Sequence, residues 1–470
     1  MSTWQTAPPP APPRTRPAVR PRTAAYDEGV RLAAGLALWA GLLLVGYWWV
    51  QDGGVTDVST PGDALTSIGR LSGLVGSVLL LAQVLLMARV PVLERAFGQT
   101  RLAELHRWVG FTSINLVALH VVTVTWGYAS GSLGALPRTI WDLTWDYPGM
   151  LLAVAGAACL VMVSVTSVRM ARRRLRYESW HLLHLYAYLG VGLALPHQLW
   201  TGADLTSSGT RTAFWWTAWG ASAAAVLLWR VALPAAVNLR HQLRVVGVVA
   251  EAPGTWSVHL AGRRLDRLRA EPGQFFQFRF LGRPGRTRAH PYSLSAAPDG
   301  RSLRVTVADA GDGSAAVATL APGTRVLVEG PYGRLTPRAR EAGRVALIGA
   351  GVGMTPLRAL LEGMDYAPGE AFYVERCSTT GLFADEVDRI AEARGADVLR
   401  LRGPRRAPDS WLPPLSRPVD DATALRSWIP DIAERDVYLC GPAAWTDLVR
   451  RSLAAAGHPS SRLHVESFGW

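Results

Sequence analysis

Six long stretches of apolar, uncharged residues dominate the first half of the chain. They lie at about 32–50, 71–88, 108–126, 148–168, 179–199 and 212–229. Each is near the ~20 residues that a helix needs to cross a bilayer, and Trp residues stand near many of their ends, as they do at membrane interfaces. Some of these stretches could be buried helices of a soluble core, but so many in one half of the chain favour a transmembrane bundle.

The loops between these stretches alternate in charge. Arginines cluster before the first stretch, between the second and third, between the fourth and fifth (Arg169 to Arg176) and after the sixth, whereas the intervening loops are richer in Asp. Because cytoplasmic loops carry the excess of positive charge, we expect a multi-pass protein of the plasma (inner) membrane. Both termini, and any soluble part that follows the sixth stretch, would then lie in the cytoplasm.

The pattern changes after the sixth stretch. Short alternating runs broken by Gly and Pro fill residues 240–335 and predict a small antiparallel β-barrel. In residues 340–470, apolar strands alternate with helical segments, which indicates an α/β domain with a parallel sheet. The predicted protein is therefore a multi-domain membrane protein: a disordered Pro/Arg-rich tail at 1–28, a six-helix transmembrane domain at 29–236, the barrel, and the α/β domain.

Composition excludes several other classes of protein. The chain is 49% hydrophobic and 18% charged, and its net charge of +13 comes from Arg alone, since Lys is absent. These arginines are scattered through the tail, the loops and the second half, so they do not form the single basic stripe of a nucleic-acid-binding domain. Cys159, Cys377 and Cys440 form no CxxC pair, and neither a disulfide framework nor a zinc site is predicted.

Five histidines lie in or beside the apolar stretches, where ionisable side chains are rare and usually functional. His106 and His120 are 14 positions apart in the third stretch, which places them on nearly one face of a helix and about 21 Å apart along its axis. In the fifth stretch, His184 and His197 match them in depth. Two His–Fe–His pairs at two depths, His106 with His184 and His120 with His197, would hold two b-type haems.

One geometric difficulty accompanies this assignment. The 13 positions between His184 and His197 correspond to about 220° on an ideal helix, so the two would not share a face. Pro196 directly precedes His197 and could bend or unwind the helix there. Hydrogen bonding between helices would explain one such histidine easily, but it explains four at matched depths poorly. His181 is interpreted as a packing or supporting residue.

The predicted barrel contains HPYSLS at 290–295. The Tyr292 ring can stack on an isoalloxazine, the Ser293 hydroxyl can reach flavin N5, and His290 can reach a phosphate with help from Arg288. Gly313 and Ser314 open a predicted helix whose amides would hold a pyrophosphate. The candidate FAD-binding residues are Arg288, His290, Pro291, Tyr292, Ser293, Leu294, Ser295, Gly313 and Ser314.

The α/β domain opens with a glycine loop, VALIGAGVGMTP, between a strand and a helix. Glycines allow close approach of a pyrophosphate, and the helix N-terminus stabilises its charge. Arg376 and Ser378, after the second strand, are candidates for binding the 2′-phosphate of NADPH, with Arg405 and Arg406 as further candidates. NADPH is therefore favoured over NADH. The candidate loop residues are Gly349, Gly351, Gly353, Thr355 and Pro356.

Taken together, residues of about 35–470 resemble the ferric reductase transmembrane family, which includes NADPH oxidases, with FAD and NAD(P) domains of the ferredoxin reductase type. His106, His120, His184 and His197 match its haem-ligand spacing. The resemblance implies that YLCGP (Cys440, Gly441 and Pro442) lies beside the nicotinamide, that Phe468 covers the flavin, and that Glu466 lies nearby. Trp470 is an alternative cover. Ser293, Cys440 and Phe468 are the expected catalytic residues.

The resemblance implies an electron path from NAD(P)H through FAD to the inner haem, the outer haem and an external acceptor. Four alternatives remain at this point: a superoxide-producing oxidase acting on O2, a reductase of ferric chelates, an electron-relay subunit for a separate partner protein, and a haem-free transporter fused to a reductase. The motifs alone do not separate the first three.

Overall fold

The computed structural model describes residues 22–168, 177–281, 288–309, 314, 316–378, 380–416 and 418–468. Contacts divide the chain between Arg240 and His241 into a helical unit and a unit of strands and helices. Most of the tail predicted at 1–28 lies outside the described residues, but residues from Arg22 onward already belong to the first helix.

The helical unit consists of helices joined by short turns. Its helices are α1 (Arg22–Gln51), α2 (Pro61–Met87), α3 (Pro91–Phe97), α4 (Gln99–Tyr128), α5 (Leu136–Asp146), α6 (Met150–Ser167), α7 (Tyr177–Leu193), α8 (Leu195–Trp200), α9 (Ala203–Thr206) and α10 (Gly209–Ala225), followed by a π-helical segment (Val226–Ala232) and α11 (Leu233–His241). Helix α2 starts at a capping box in which Thr60 and Asp63 bond each other's backbone amides.

Five helical segments among the described residues are long and apolar enough to cross a membrane: Ala25–Gln51, Pro61–Met87, Gln99–Tyr128, Met150–Ser167 and Gly209–His241. They correspond to five of the six predicted spans. The remaining predicted span, 179–199, is divided between α7 and α8, because the helix ends at Leu193 and begins again at Leu195. The predicted count of six spanning helices is therefore not confirmed.

The second unit begins with two antiparallel three-stranded sheets. The strands are β1 (Arg244–Ala252), β2 (Thr255–Ala261), β3 (Phe275–Phe280), β4 (His290–Ser293), β5 (Ser302–Ala308) and β6 (Val326–Tyr332). One sheet has the order β1-β2-β5 and the other β4-β3-β6. Among the described residues, the isolated bridges Arg244–Arg325 and Leu294–Val305 lie between the two sheets. The strands are antiparallel as predicted, but a closed barrel is not confirmed.

The α/β part of this unit has the predicted parallel sheet. Its elements are β7 (Val345–Ala350), α12 (Met354–Gly363), β8 (Ala371–Cys377), α13 (Ala384–Arg394), β9 (Asp397–Arg402), α14 (Asp421–Trp428), β10 (Asp436–Pro442), α15 (Ala443–Ala455) and β11 (Leu463–Phe468). The strand order is β11-β10-β7-β8-β9. Every residue of β7 is buried, which is typical of a central strand covered on both faces. The order in which the strands are added to the sheet reverses between β7 and β10, and ligands bind at such switch points.

Candidate functional site

The structure brings His106 of α4 and His184 of α7 together. Their ring centroids are 6.0 Å apart. Nδ1 of His106 lies 3.2 Å from the Gln83 carbonyl oxygen on α2, and Nδ1 of His184 lies 3.1 Å from Ser167 Oγ. Metal-ligating histidines usually bond through their second nitrogen in this way, which fixes the ring orientation. Metal–nitrogen bonds of about 2 Å on both sides of an ion would place two imidazole centroids about 6 Å apart, so this pair fits an iron between them.

His120 lies deeper in α4 and has the same kind of support. Its Nδ1 lies 2.8 Å from the Gly69 carbonyl oxygen of α2. A Cβ atom at Gly73, one turn further along α2, would stand 2.6 Å from that nitrogen. Glycine at position 73 therefore gives the His120 ring its space against α2, and the Gly69 carbonyl holds the ring in place.

His197 lies in α8, beyond the break at Ala194. The helix begins again at Leu195, and Pro196 is in the first turn of the new helix. The buried Nδ1 of His197 has no hydrogen-bond partner of normal geometry among the described residues. A Cβ at Gly149 would come within 3.0 Å of the His197 backbone, so the turn before α6 packs directly on this histidine.

Within the described residues, no group of three or more His, Cys, Asp or Glu side chains could hold a metal ion. The two pairs contain only two protein ligands each. Two axial imidazoles are what a haem iron requires from the protein, since the porphyrin supplies its other ligands. The donor set thus suits haem better than a metal bound by protein side chains alone.

In the second unit, strand β4 carries the residues predicted to contact the flavin. The rings of His290 and Tyr292 are 5.9 Å apart and nearly parallel, on the strand that pairs with β3. Ser293 is buried, and its Oγ has no hydrogen-bond partner among the described residues. A buried hydroxyl without a partner is costly in a folded protein. It fits a site in which a cofactor such as FAD supplies the missing hydrogen bond.

Not every residue of the HPYSLS segment faces the same environment. Leu294 and Ser295 are fully buried. Ser295 Oγ accepts hydrogen bonds from Thr306 at 2.8 Å and from Arg304 at 3.2 Å. This is a correction to the prediction that Leu294 and Ser295 bind FAD directly: both pack inside the protein, behind the strand.

The second predicted FAD segment is described only in part. Gly313 lies outside the described residues. The Ser314 hydroxyl donates a hydrogen bond of 3.3 Å to Asp309. Pro291 and Arg288 are half-buried, and their predicted roles remain predictions.

The glycine loop follows β7 as predicted. Gly351 adopts a positive φ of 56°, and a Cβ at Gly353 would stand 2.2 Å from the Cys440 carbonyl oxygen. The loop therefore lies directly against the end of β10, at the switch point. Thr355 Oγ1 donates to the Val352 carbonyl, and Pro356 is buried in the first turn of α12. Gly349, Gly351, Gly353, Thr355 and Pro356 are thus brought together at one helix N-terminus, which suits a pyrophosphate.

Cys440 lies between two strand ends at this switch point. It pairs with Gly349 of β7 on one side and with Glu466 of β11 on the other, and Pro442 pairs with Phe468. Burial, assisted by the nearby Glu466, raises the pKa of the Cys440 thiol well above its usual value, so the group is a neutral thiol. Gly441 packs against Trp445.

The carboxyl group of Glu466, a half-buried residue, is the second buried group here. Its Oε2 has no hydrogen-bond partner among the described residues, and burial raises its pKa to about 7. Its Oε1 lies 3.7 Å from the position of a Cβ at Gly333, at the end of β6. The carboxyl group therefore reaches from the α/β sheet to the strand beside the predicted flavin site. The Phe468 backbone belongs to β11, and Trp470 lies outside the described residues.

Arg376 does not have the predicted role. The side chain is buried, and it donates to the carbonyl oxygens of Trp411, Cys377, Leu401 and Gly403 at 2.6 to 3.0 Å. Four of its five N–H groups are thus used to hold β8, β9 and the following loop together, which leaves it unsuited to bind a 2′-phosphate. Arg406 pairs with Asp421 at 2.5 Å. Ser378 and Arg405 are exposed and remain the candidates.

Sequence reasoning missed the groups that support these sites. Gln83, Gly69 and Ser167 provide hydrogen-bond partners for the histidines, and Arg304 supports Ser295. Small residues recur on α2 at Gly62, Gly69, Gly73 and Gly76, a spacing that indicates close helix contact in membranes. That spacing could have indicated the packing of α2 against α4.

Comparison with known proteins adds independent findings for both halves. Residues 72–195 match the family described as "Ferric reductase like transmembrane component". The match contains His106, His120 and His184 and ends two residues before His197. The C-terminal part is similar to ferredoxin reductases. The ferredoxin reductase component of 3-ketosteroid-9-alpha-monooxygenase from Mycobacterium tuberculosis is 29% identical over 209 residues, which cover 43% of this chain and 56% of that protein.

The ferredoxin–NAD(+) reductase component of the alkene monooxygenase system of Xanthobacter autotrophicus is 30% identical over 205 residues, covering 42% of this chain and 61% of its own length. The chain thus spans somewhat more than half the length of these relatives. Among solved structures, the flavohem-like FAD/NAD binding domain of nitric oxide dioxygenase from Vibrio cholerae is 24% identical, with 49% of this chain and 99% of that chain covered and a TM-score of 0.36. The two relatives from Mycobacterium tuberculosis and Xanthobacter autotrophicus are named as reductase components, in agreement with the predicted oxidoreductase class.

Proposed function

We propose that this chain, which joins a ferric reductase-like transmembrane segment to a ferredoxin reductase-type FAD/NAD(P) module, is an oxidoreductase that moves electrons from cytoplasmic NAD(P)H across the plasma membrane to an external acceptor. The observation that carries the proposal is the facing pair His106 and His184, with their Nδ1 atoms 3.2 Å and 3.1 Å from Gln83 and Ser167. Both termini would be cytoplasmic. The fifth predicted span, divided between α7 and α8, would also cross the membrane and so complete a bundle of six spans.

In this proposal, each cofactor has its own set of residues. His106 with His184, and His120 with His197, would hold two b-type haems, which supply one-electron carriers at depths where no side chain can carry charge. Ser293 and Tyr292 would orient FAD, which links a two-electron donor to one-electron acceptors. The loop from Gly349 to Pro356 would bind the nicotinamide nucleotide, and Cys440, Glu466 and Phe468 would stand beside the nicotinamide and the flavin.

The acceptor is proposed to be O2, which would yield superoxide, or ferric iron in a chelate. The test is to purify the full chain, add NADPH or NADH, and measure superoxide formation and ferric chelate reduction separately. His120→Ala should abolish reduction of the acceptor, while NAD(P)H-dependent reduction of the flavin continues. His181→Ala is the control, because it removes a histidine of the helical unit that the proposal does not use as an axial ligand. Equal acceptor reduction by wild type and His120→Ala would contradict the proposed path.

A second candidate is an electron-relay subunit. It is favoured by the names of the relatives, several of which are reductase components or subunits of monooxygenase systems. Here the acceptor would be a separate protein rather than O2 or iron. If the purified chain reduces its haems but neither small acceptor, and activity returns with a membrane fraction from cells that lack this chain, the relay is supported and the oxidase and ferric reductase functions are not.

A further inference from the structure

A partly buried ion pair joins β5 to α13. Strand β5 belongs to the antiparallel sheets that carry the predicted flavin site (the flavin half), and α13 belongs to the α/β part (the nucleotide half). Arg304 of β5 donates from both terminal nitrogens to the two carboxylate oxygens of Glu386, at 2.8 and 2.9 Å. Its guanidinium also lies 5.0 Å from the centre of the Phe383 ring. Only 8% of the Arg304 side chain is exposed. A two-bond fork of this kind fixes both the distance and the orientation of its partners.

On the flavin side, Arg304 holds the backbone that follows the flavin-contacting residues. It donates from Nη2 to the Ser295 carbonyl oxygen at 2.8 Å and from Nε to Ser295 Oγ at 3.2 Å. Ser295 is two residues beyond Ser293, whose buried hydroxyl has no partner among the described residues. The position of Ser293 is therefore linked to that of the Arg304 guanidinium through two peptide units.

On the nucleotide side, Glu386 is held by a second arginine. Arg358 of α12 donates from Nε to Glu386 at 2.9 Å and also pairs with Glu362. Glu362 in turn accepts a hydrogen bond of 2.6 Å from the amide of Ala297, back in the flavin half. Arg358 stands in the helix that begins directly after the glycine loop. The four side chains Arg304, Glu386, Arg358 and Glu362 are called the ionic bridge below.

The energetics of the ionic bridge suit positioning better than stability. It contains two positive and two negative groups, and although burial opposes ionisation of Glu386, the charges of Arg304 and Arg358 lower its pKa. Buried ion pairs are often no more stabilising than apolar side chains of the same size. Their contribution is a defined geometry, because a guanidinium forms two good hydrogen bonds to a carboxylate only in a narrow set of orientations.

We propose that Arg304 and Glu386 are positioning residues for hydride transfer. They hold the glycine loop that precedes α12 at a fixed distance from the strand that carries Ser293. This inference rests on the proposed use of NAD(P)H and FAD. Transfer requires the reacting atoms to approach within about 3–3.5 Å, and displacements of about 1 Å cost about 100-fold in rate. The ionic bridge connects the two halves of the module through partly buried contacts, so its loss would act on this distance.

The test uses the full chain with its cofactors and compares Glu386→Gln with Glu392→Gln, an exposed glutamate on the same helix. We expect Glu386→Gln to slow single-turnover flavin reduction about 10- to 100-fold, with nucleotide affinity changed less than about threefold and the control close to wild type. The long-wavelength absorbance of nicotinamide stacked on flavin should weaken in parallel. Unchanged rate and absorbance in Glu386→Gln would overturn the inference.

A second variant covers the case in which Glu386→Gln fails to fold or loses FAD. Arg304→Lys keeps the charge but lacks the two-pronged guanidinium, and we expect a smaller loss of both the rate and the stacking absorbance at normal FAD content. Wild-type behaviour of Arg304→Lys would overturn the inference as well. If neither NADPH nor NADH reduces the flavin of the wild-type chain, the proposed function itself fails, which is a different result.

Discussion

The imidazole rings of His106 and His184 lie 6.0 Å apart, centre to centre, with their planes inclined by 67°. The two residues are far apart in the sequence, yet their helices bring them to one point. The Nδ1 atom of each ring also has a hydrogen-bonding partner that fixes the ring's orientation: the Gln83 carbonyl oxygen for His106 and Ser167 Oγ for His184. This relationship supports the proposal that a haem iron lies between the two residues.

Replacement of His184 by Ala should remove one of two haems. The ring is an axial ligand in the proposed site, and its loss leaves His106 without the opposite imidazole. We expect the haem content of the purified chain to fall from two to one per chain, as measured by the absorbance of the extracted haem. His181→Ala, three positions away on the same helix, should keep both haems. Equal losses in the two variants would indicate that the helix, and not the ligand, had been disturbed.

The glycine at position 73 should matter for the outer haem. In Gly73→Ala the new methyl group would stand 2.6 Å from His120 Nδ1, and the ring would have to leave its hydrogen bond to Gly69. Loss of such a supporting contact typically weakens metal binding about 10- to 100-fold. Haem titration of the purified chain checks this. Gly46→Ala is the matched control, since nothing lies within 4 Å of its added atom, and a similar weakening there would contradict the explanation.

Two of the three arginines predicted to bind the 2′-phosphate, Arg405 and Arg376, should give different defects when replaced. Arg405 is exposed, and Arg405→Ala should raise the KM for NADPH about tenfold, or about 1.4 kcal/mol, and leave the KM for NADH unchanged. Arg376→Ala should instead destabilise the protein, because each buried carbonyl left without a donor costs about 1–3 kcal/mol. Steady-state kinetics with both nucleotides and thermal unfolding measure the two effects. A selective NADPH defect in Arg376→Ala would restore the sequence-based prediction.

Glu466 should give the protein a specific dependence on pH. Burial raises its pKa to about 7, so the folded state holds the proton more tightly than the unfolded state does. The stabilisation of the folded state by this proton is fully present below about pH 4.5 and is lost as the pH rises through about 7. It amounts to up to about 3 kcal/mol of the free energy of unfolding. Relative to wild type, Glu466→Gln should therefore become more stable between pH 5 and 8. A constant difference in unfolding temperature across that range would contradict the shift.

The sequence predicted the parts of the fold that depend on local pattern. The helices of the membrane half, the antiparallel strands and the parallel sheet that begins at Val345 all follow from hydrophobic periodicity. The glycine loop after β7 was also predicted, because Gly351 and Gly353 stand where a strand meets a helix. The break before His197 followed from spacing and from Pro196 together.

Two of the failures of prediction, at Arg376 and Ser295, have a common cause, which is that they depend on contacts between residues distant in the sequence. An arginine near the end of a strand, such as Arg376, looks the same in the sequence whether it is exposed or bonded to carbonyl oxygens of distant residues such as Trp411, Leu401 and Gly403. Ser295 likewise follows the flavin motif but faces Arg304 and Thr306 inside the protein. The exposed amphipathic helix α5, with Trp141 and Trp145, was not predicted because it is too short to stand out from the loops.

The most direct test of the account is an anaerobic reduced-minus-oxidised spectrum of the purified full chain after addition of NADPH or NADH. The account predicts low-spin b-type bands equal to two haems per chain, reduced by the nucleotide to the same extent as by dithionite. Absence of haem from the purified chain, or haem that dithionite reduces and neither nucleotide does, would contradict the claim that this one chain carries electrons from NAD(P)H to its paired histidines.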